Sequence, residues 1–464
     1  MNSEIKKKGH PKGLYMLFFV EMWERFSYFG MRGILMLYLT KTFLEGGLSI
    51  DPKEASLIYG FFTGFVYFTP LIGGWLADQF LGQRRAIYIG CLVMALGQFC
   101  LFAINTHFGL MLGLILLIIG NGFFKPNIST LVGKLYSKDD PRKDSAFSIF
   151  YMGVNLGALI APIVIGILTD GVFATHDASG KIIAWGYKYG FLAASIGMIL
   201  GFFIFSALSK KYLGDVGLKP TKEKKTKEIK QEIQQVESGK LTSADKQRIA
   251  VIFIYFFFAI FFFAGFEQAG SSLTLYTENY IDRVITLPFI GAWEIPTPIF
   301  QSVNPFFIVT LAPLFAIFWG TKFGRRLSTP IKMGSGMIIL GLGFFFMLGA
   351  VSERGGDIAD VTVKASLWWL VMTYLVHTIG ELCLSPVGLS VVTKLSPPKL
   401  ASVLMAVWML ASFFANILGG VLASTVQALG AGRIFLYISI FVIGCGLLMI
   451  CLNKVILKMS HGIR

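Results

Sequence analysis

The sequence predicts an all-α integral membrane protein: twelve transmembrane helices in two six-helix bundles, with both termini cytoplasmic. Three observations lead there. Of the 464 residues, 55% are hydrophobic and only 14% are charged, against about 25% charge in soluble domains. The apolar residues fall into twelve runs, most long enough for the roughly 20 helical residues that a bilayer core requires. Lys and Arg lie mainly in alternate loops, the asymmetry that orients membrane helices. The net charge of +15 therefore reads as orientation in a lipid bilayer, and no nucleic-acid partner is expected.

In order, the runs are 14–39, 55–77, 86–104, 108–133, 145–172 and 188–208, then 249–278, 300–320, 330–350, 366–394, 400–428 and 433–457. The first six define an N-terminal bundle within 1–208, the last six a C-terminal bundle within 249–464. Between them, 209–248 is rich in Lys and Glu and cannot span a membrane. A charged cytoplasmic linker is expected, while Ile229, Ile233 and Val236 at helical spacing leave a short amphipathic helix open. With the N-terminus inside, the cytoplasmic segments carry Lys6 to Lys12, Arg84 and Arg85, Lys134 to Lys143, Lys322 to Lys332 and Lys394 to Lys399. Asp51, Glu54, Asp170, Asp177, Glu353, Asp357 and Asp360 fall in the opposite loops. The apolar run after Lys6-Lys7-Lys8 is too long for a cleavable signal. Cys91, Cys100, Cys383, Cys445 and Cys451 show neither metal nor redox spacing and read as packing residues. A GxxxxGK[ST] loop is missing, so ATP is not the expected energy source.

The halves resemble each other. Span four contains Gly120 to Pro126 followed by Lys134-Leu135, and span ten contains Gly380 to Pro386 followed by Lys394-Leu395. Gly-x5-Pro-x7-Lys-Leu thus recurs. Asp78, Gly82, Arg84 and Arg85 follow span two, and Gly324-Arg325-Arg326 follows span eight. Parallel six-helix repeats of this kind resemble the major-facilitator fold. Asp78 with Arg84 and Arg85 is expected to act as a conformational latch.

The first span carries the unusual charge. Glu21, Glu24, Arg25, Tyr28 and Arg32 share a stripe about 100° wide on one helix. Each ion at a helix centre costs roughly 2.5–3.5 kcal/mol on insertion scales. Such a stripe is either a structural ion-pair ladder or the wall of a substrate or proton path. Elsewhere the intramembrane charges are few: Lys125, Glu267 and Glu381. At about 1.5 Å per residue, Arg32 lies roughly 10 Å beyond Arg25 toward the outside. Two gate pairs follow from these heights, Arg32 with Glu267 outside and Lys125 with Glu381 inside. Buried pairs of low net stability suit contacts that must break.

Here a family resemblance becomes specific. Glu21-x-x-Glu24-Arg25-Phe26 is similar to the ExxER signature of the proton-dependent oligopeptide transporter (POT/PTR) family. Gly122 to Gly133, Phe147 to Gly157 and Gly380 to Ser390 resemble three further motifs of that family, in the same order. The resemblance implies a symporter importing di- and tripeptides with protons by alternating access. It implies that Arg25 and Lys125 hold the peptide carboxylate, and that Glu381, with Asn155 and Asn304, holds the amino group. Glu21, Glu24 and Arg25 would couple protonation to transport. Tyr28 and Tyr67 would line the cavity, and Trp408 would shape a side-chain pocket. A zwitterionic peptide needs such a cationic and anionic pair of anchors. Phe29 stands where the family often has a second Tyr, and the linker lacks the two extra helices of many bacterial members.

Two other functions compete. A transporter of the same fold could carry nitrate or another anion, although an anion has no use for Glu381. A peptide receptor that does not transport is the other. An enzyme is not expected, since no nucleophile–base pair or metal cluster accompanies the motifs; catalytic residues, metals and cofactors are expected to be none. A monomer is the working expectation. His377, one turn before Glu381, is read as a packing residue rather than a relay.

Overall fold

The computed structural model describes residues 9–137, 140–220, 241–288, 291–397 and 400–461. Helices dominate them: α1 (Lys12–Thr40), α2 (Pro52–Leu76), α3 (Gln83–Ala103), α4 (His107–Lys134), α5 (Lys143–Gly166), α6 (Tyr187–Leu213), α7 (Ser243–Phe266), α8 (Ser272–Tyr280), α9 (Val303–Gly320), α10 (Lys322–Arg326), α11 (Thr329–Glu353), α12 (Leu367–Leu395), α13 (Ala401–Ser424), α14 (Val426–Leu429), α15 (Ala431–Cys451) and α16 (Asn453–Met459). Eleven stretches among the described residues are long and apolar enough to cross a membrane. The remaining expected span is α1. Its 29 residues suffice in length, but Glu21, Glu24, Arg25 and Arg32 set it apart from the eleven apolar ones.

Three departures from the expected spans have local causes. The seventh is broken: α7 ends at Phe266, Glu267–Gly270 forms a 3-10 turn, and Ser271 (φ −125, ψ −94) precedes α8. At the edges of the segment expected as linker, α6 runs on to Leu213 and α7 starts at Ser243. Thr242 fixes that start with a capping box, its hydroxyl accepting from Asp245 N while Asp245 accepts from Thr242 N. Ile229, Ile233 and Val236 lie outside the described residues. The loops also contain strands not expected from the sequence. β1 (Thr175–His176) pairs with β2 (Ile182–Ala184), and β3 (Ile281–Asp282) runs parallel to β6 (Ala365–Ser366). β4 (Val284–Leu287) and β5 (Gly291–Glu294) form a hairpin registered from Val284↔Glu294 to Leu287↔Gly291.

The chain forms two compact units. The first comprises Met1–Met31, Thr69–Ala161 and Phe191–Ile233. Its centre is the α3–α4 pair, where Gly90 faces Gly120 and Gly97 faces Gly113; small residues let membrane helices approach closely. Interhelical hydrogen bonds extend it. Gln98 of α3 donates to the Ser27 hydroxyl at 3.2 Å, and Ser195 of α6 donates to the Ala95 carbonyl at 2.8 Å. Arg84 donates to the Gly214 carbonyl and the Ser209 hydroxyl, and Asp78 accepts from Gln83 at 2.7 Å. Of the residues expected to form a latch, Asp78 thus meets Gln83, and Arg84 meets the end of α6.

The second unit comprises Arg32–Phe68, Pro162–Gly190 and Gln234–Arg464. Its core packs α11 between α12 and α15, with Met337, Leu340, Phe344 and Phe435 among the fully buried side chains. The last residues of α1 and the first half of α2 belong to this unit. Gly60 of α2 lies so close to α13 that a methyl there would come within 2.7 Å of Gly420 Cα.

Candidate functional site

In the first unit Glu21, Glu24, Arg25 and Tyr28 of the α1 stripe are buried and the charges are partnered. Glu21, Glu24 and Arg25 are each at most 5% exposed. Arg25 Nε donates to Glu24 and lies 3.2 Å from Glu21 Oε1. Its guanidinium also sits 5.5 Å from the centre of the buried Tyr28 ring, a cation–π distance. On α4, Asn121 donates to Glu24 Oε1 at 3.2 Å, and Lys125 lies within electrostatic range of Glu21. α5 closes on the same cluster through Gly157, where a methyl would meet Met22 O and come within 2.8 Å of Arg25 Cβ. Only glycine permits that approach. Asn155, two residues earlier, is buried and donates to the Tyr151 carbonyl at 2.9 Å.

The second unit carries the remaining residues. Arg32 and Glu267 form an ion pair whose side chains are 11% and 12% exposed. Tyr59 of α2 completes it, accepting from Arg32 Nε at 2.6 Å. Gly270 lies against both: a methyl there would overlap the Tyr59 hydroxyl and come within 3.0 Å of Arg32 Nη2. On α12, Glu381 Oε2 accepts from Asn304 of α9 at 3.0 Å. The same Asn304 amide reaches the Thr378 hydroxyl at 3.0 Å, and Thr378 is held by the Tyr374 carbonyl. Glu267 lies within electrostatic range of Glu381. Trp408 is buried against Gly388, and Tyr67 is half-buried on α2. His377 packs on the Phe344 ring, 4.6 Å between centres.

Of the residues marked from sequence, Glu21, Glu24, Arg25 and Tyr28 cluster in one unit. Arg32 with Glu267, and Asn304 with Glu381, pair in the other. Lys125 belongs to the first unit and Glu381 to the second. Sequence reasoning missed Asn121, Tyr59 and Thr378, neutral residues whose partners lie far along the chain. It also missed a charged cluster at the other end of α1. Lys41 Nζ lies 2.9 Å from Glu278 Oε1 and 3.8 Å from the Trp185 ring centre. Arg283 bridges Glu278 and Glu294, and Thr297 donates to Glu278 at 2.6 Å. These charges flank apolar runs and resemble ordinary loop charges until the fold gathers them. No group of three potential metal ligands forms among the described residues.

A family model described as the POT family matches residues 84–215 and 216–434. The chain belongs to the POT family. A peptide transporter of Yersinia enterocolitica is 33% identical over 479 residues, covering 90% of this chain and 89% of the relative. A di-/tripeptide transporter of Lactococcus lactis subsp. lactis is 31% identical over 507 residues, covering 98% of both chains. Among solved structures, a POT family transporter in complex with 5-aminolevulinic acid superposes with a TM-score of 0.84 at 30% identity, over 97% of this chain and 98% of that one. This POT chain is a multi-pass membrane protein of a transporter family with a major-facilitator-type fold.

Proposed function

We propose that the chain is a proton-coupled symporter that imports di- and tripeptides by alternating access. One observation carries the reading: a POT-family chain whose relatives are named peptide transporters keeps an acidic side chain, Glu381, inside a membrane helix and hydrogen-bonds it through Asn304. A peptide ammonium gives that carboxylate a partner; an inorganic anion would not. The amino group is assigned to Glu381 with Asn304 and Asn155, and the carboxylate to Arg25 and Lys125. Tyr28, Tyr67 and Trp408 are assigned to the rest of the peptide.

Coupling is assigned to Glu21, Glu24 and Arg25. Opposite charges at hydrogen-bond distance favour ionisation; protonating a carboxylate removes the attraction and frees Arg25 for substrate. Arg32 and Glu267 are the outer gate, Lys125 and Glu381 its inner counterpart. The two six-helix halves, 1–208 and 249–464, move as the bundles of the cycle. All these residues come from one chain, so a monomer suffices.

The test is reconstitution in liposomes under an inward proton gradient, comparing dialanine, free alanine and nitrate. Dialanine alone should accumulate. Uptake of dialanine that ignores the gradient would remove symport from the reading, and preferential uptake of nitrate would replace the cargo.

A further inference from the structure

We propose that Asn121 is a positioning residue for proton coupling: its side-chain amide serves both protonation states of Glu24, donating to the carboxylate and, turned over, accepting from the carboxylic acid. The inference deepens the assignment of Glu24 as a coupling carboxylate and rests on it.

The geometry is specific. Glu24 is fully buried, so each oxygen depends on the protein for partners. Oε2 accepts from Arg25 Nε on its own helix, and Oε1 accepts from Asn121 Nδ2 on α4. Asn121 is 2% exposed, and its Oδ1 has no hydrogen-bond partner among the described residues. A buried amide oxygen left without a donor is costly and calls for an explanation. Protonation of Glu24 supplies the donor. An amide carries an acceptor and a donor on opposite branches of one planar group, so half a turn about its last bond exchanges them. The other groups facing the cluster are Glu21 and Arg25 on α1, Cys91 on α3 and Lys125 on α4. α5 presents glycine there.

An order of events follows. The proton adds to Oε1, the oxygen facing Asn121, and Arg25 need not leave Oε2 first. The carboxylate becomes a neutral acid, the attraction for Arg25 falls, and Arg25 is released second. Without Asn121 the ionised form loses a charge-assisted hydrogen bond and the neutral form loses a weaker one. The proton is then held to higher pH.

The experiment compares wild type, Asn121→Leu, Asn121→Asp and Glu24→Gln in liposomes. Gradient-driven dialanine uptake is measured against external pH, and dialanine counterflow at equal pH checks that each variant is folded. For Asn121→Leu the pH of half-maximal uptake should rise by about one unit. For Asn121→Asp, which keeps the shape of the amide and can share a proton with Glu24, it should rise at least as far. Half-maximal pH values indistinguishable from wild type in both variants, with Glu24→Gln inactive in gradient-driven uptake, would overturn the role of Asn121 alone. Retained gradient-driven uptake in Glu24→Gln would overturn the assignment of Glu24 and this inference with it. Loss of counterflow in both Asn121 variants would make the residue structural and equally overturn it.

Discussion

Replacing Gly270 with Ala should hold the proposed outer gate, Arg32 with Glu267, open, and the reason is steric. The added methyl would overlap the Tyr59 hydroxyl and stand 2.8 Å from Tyr59 Cζ and 3.0 Å from Arg32 Nη2. Atoms in good contact lie about 3.5 Å apart or more, so the overlapping Tyr59 hydroxyl must retreat by roughly 1.5 Å. That movement breaks its 2.6 Å hydrogen bond from Arg32. Overpacking costs about 1–3 kcal/mol, and a hydrogen bond to a charged group about 1.5–3 kcal/mol. Together these disfavour the closed gate by about 2.5–6 kcal/mol. The upper end reaches the roughly 5.5 kcal/mol that turns a 99:1 equilibrium into 1:99.

Electron–electron resonance between spin labels at Lys53 and Ala428 measures the population directly. The background should have Cys445 and Cys451, the two cysteines not fully buried, replaced by Ser. Gly270→Ala should shift the distance distribution to longer values and reduce gradient-driven uptake. Adding Tyr59→Phe removes the overlapping oxygen and should restore part of the closed population. A Gly270→Ala distribution matching wild type, or a double variant no better than the single one, would refute the steric argument.

Three further outcomes are expected. Neutralising Arg32 or Glu267 alone should impair dialanine uptake, and exchanging the two charges should recover part of it; a double exchange no better than either single variant would end their assignment as a gate. Glu381→Gln should weaken binding of a free dipeptide by roughly one to two orders of magnitude and narrow its advantage over the N-acetylated form, measured by competition; undiminished discrimination would leave Glu381 without the amino group. Cysteines at Gly214 and Asp360 should label from the cytoplasmic and the external side respectively, and labelling from the reverse sides would invert the topology.

The helical fold was legible because a bilayer imposes one length and one composition on every span. Repeated Gly-x5-Pro-x7-Lys-Leu text pointed to the repeat, and both prolines, Pro126 and Pro386, lie inside the helices expected to carry them. The ionised stripe of α1 was legible because charge inside a span is costly and rare. Neutral partners were not. Nothing in its neighbourhood marks Asn121 or Tyr59, since each works through a residue 97 or 27 positions away. The break at Ser271 had a signal in Gly265, Gly270, Ser271 and Ser272, but glycine is common inside membrane helices and no proline announces the break. The β4–β5 hairpin had a signal in Val284-Ile285-Thr286-Leu287, but a strand of 4 residues competes poorly with the long runs on either side.

The proposed gate contact joins a continuous helix to an interrupted one. α1 is continuous from Lys12 to Thr40, so Arg25 and Arg32 sit about 10 Å apart on one rigid rod. The compact units divide the helix between Met31 and Arg32, placing Glu21, Glu24 and Arg25 in the first and Arg32 in the second. Glu267 is held otherwise. It opens the 3-10 turn between α7 and α8, where the helical ladder is interrupted and side-chain bonds from Gln268 to Gly419 O and from Gln301 to Ala269 O hold the chain instead. The Arg32–Glu267 pair thus has a continuous helix on one side and an interrupted one on the other. Gly270 occupies that turn, and its missing side chain is what allows Tyr59 and Arg32 to close over it.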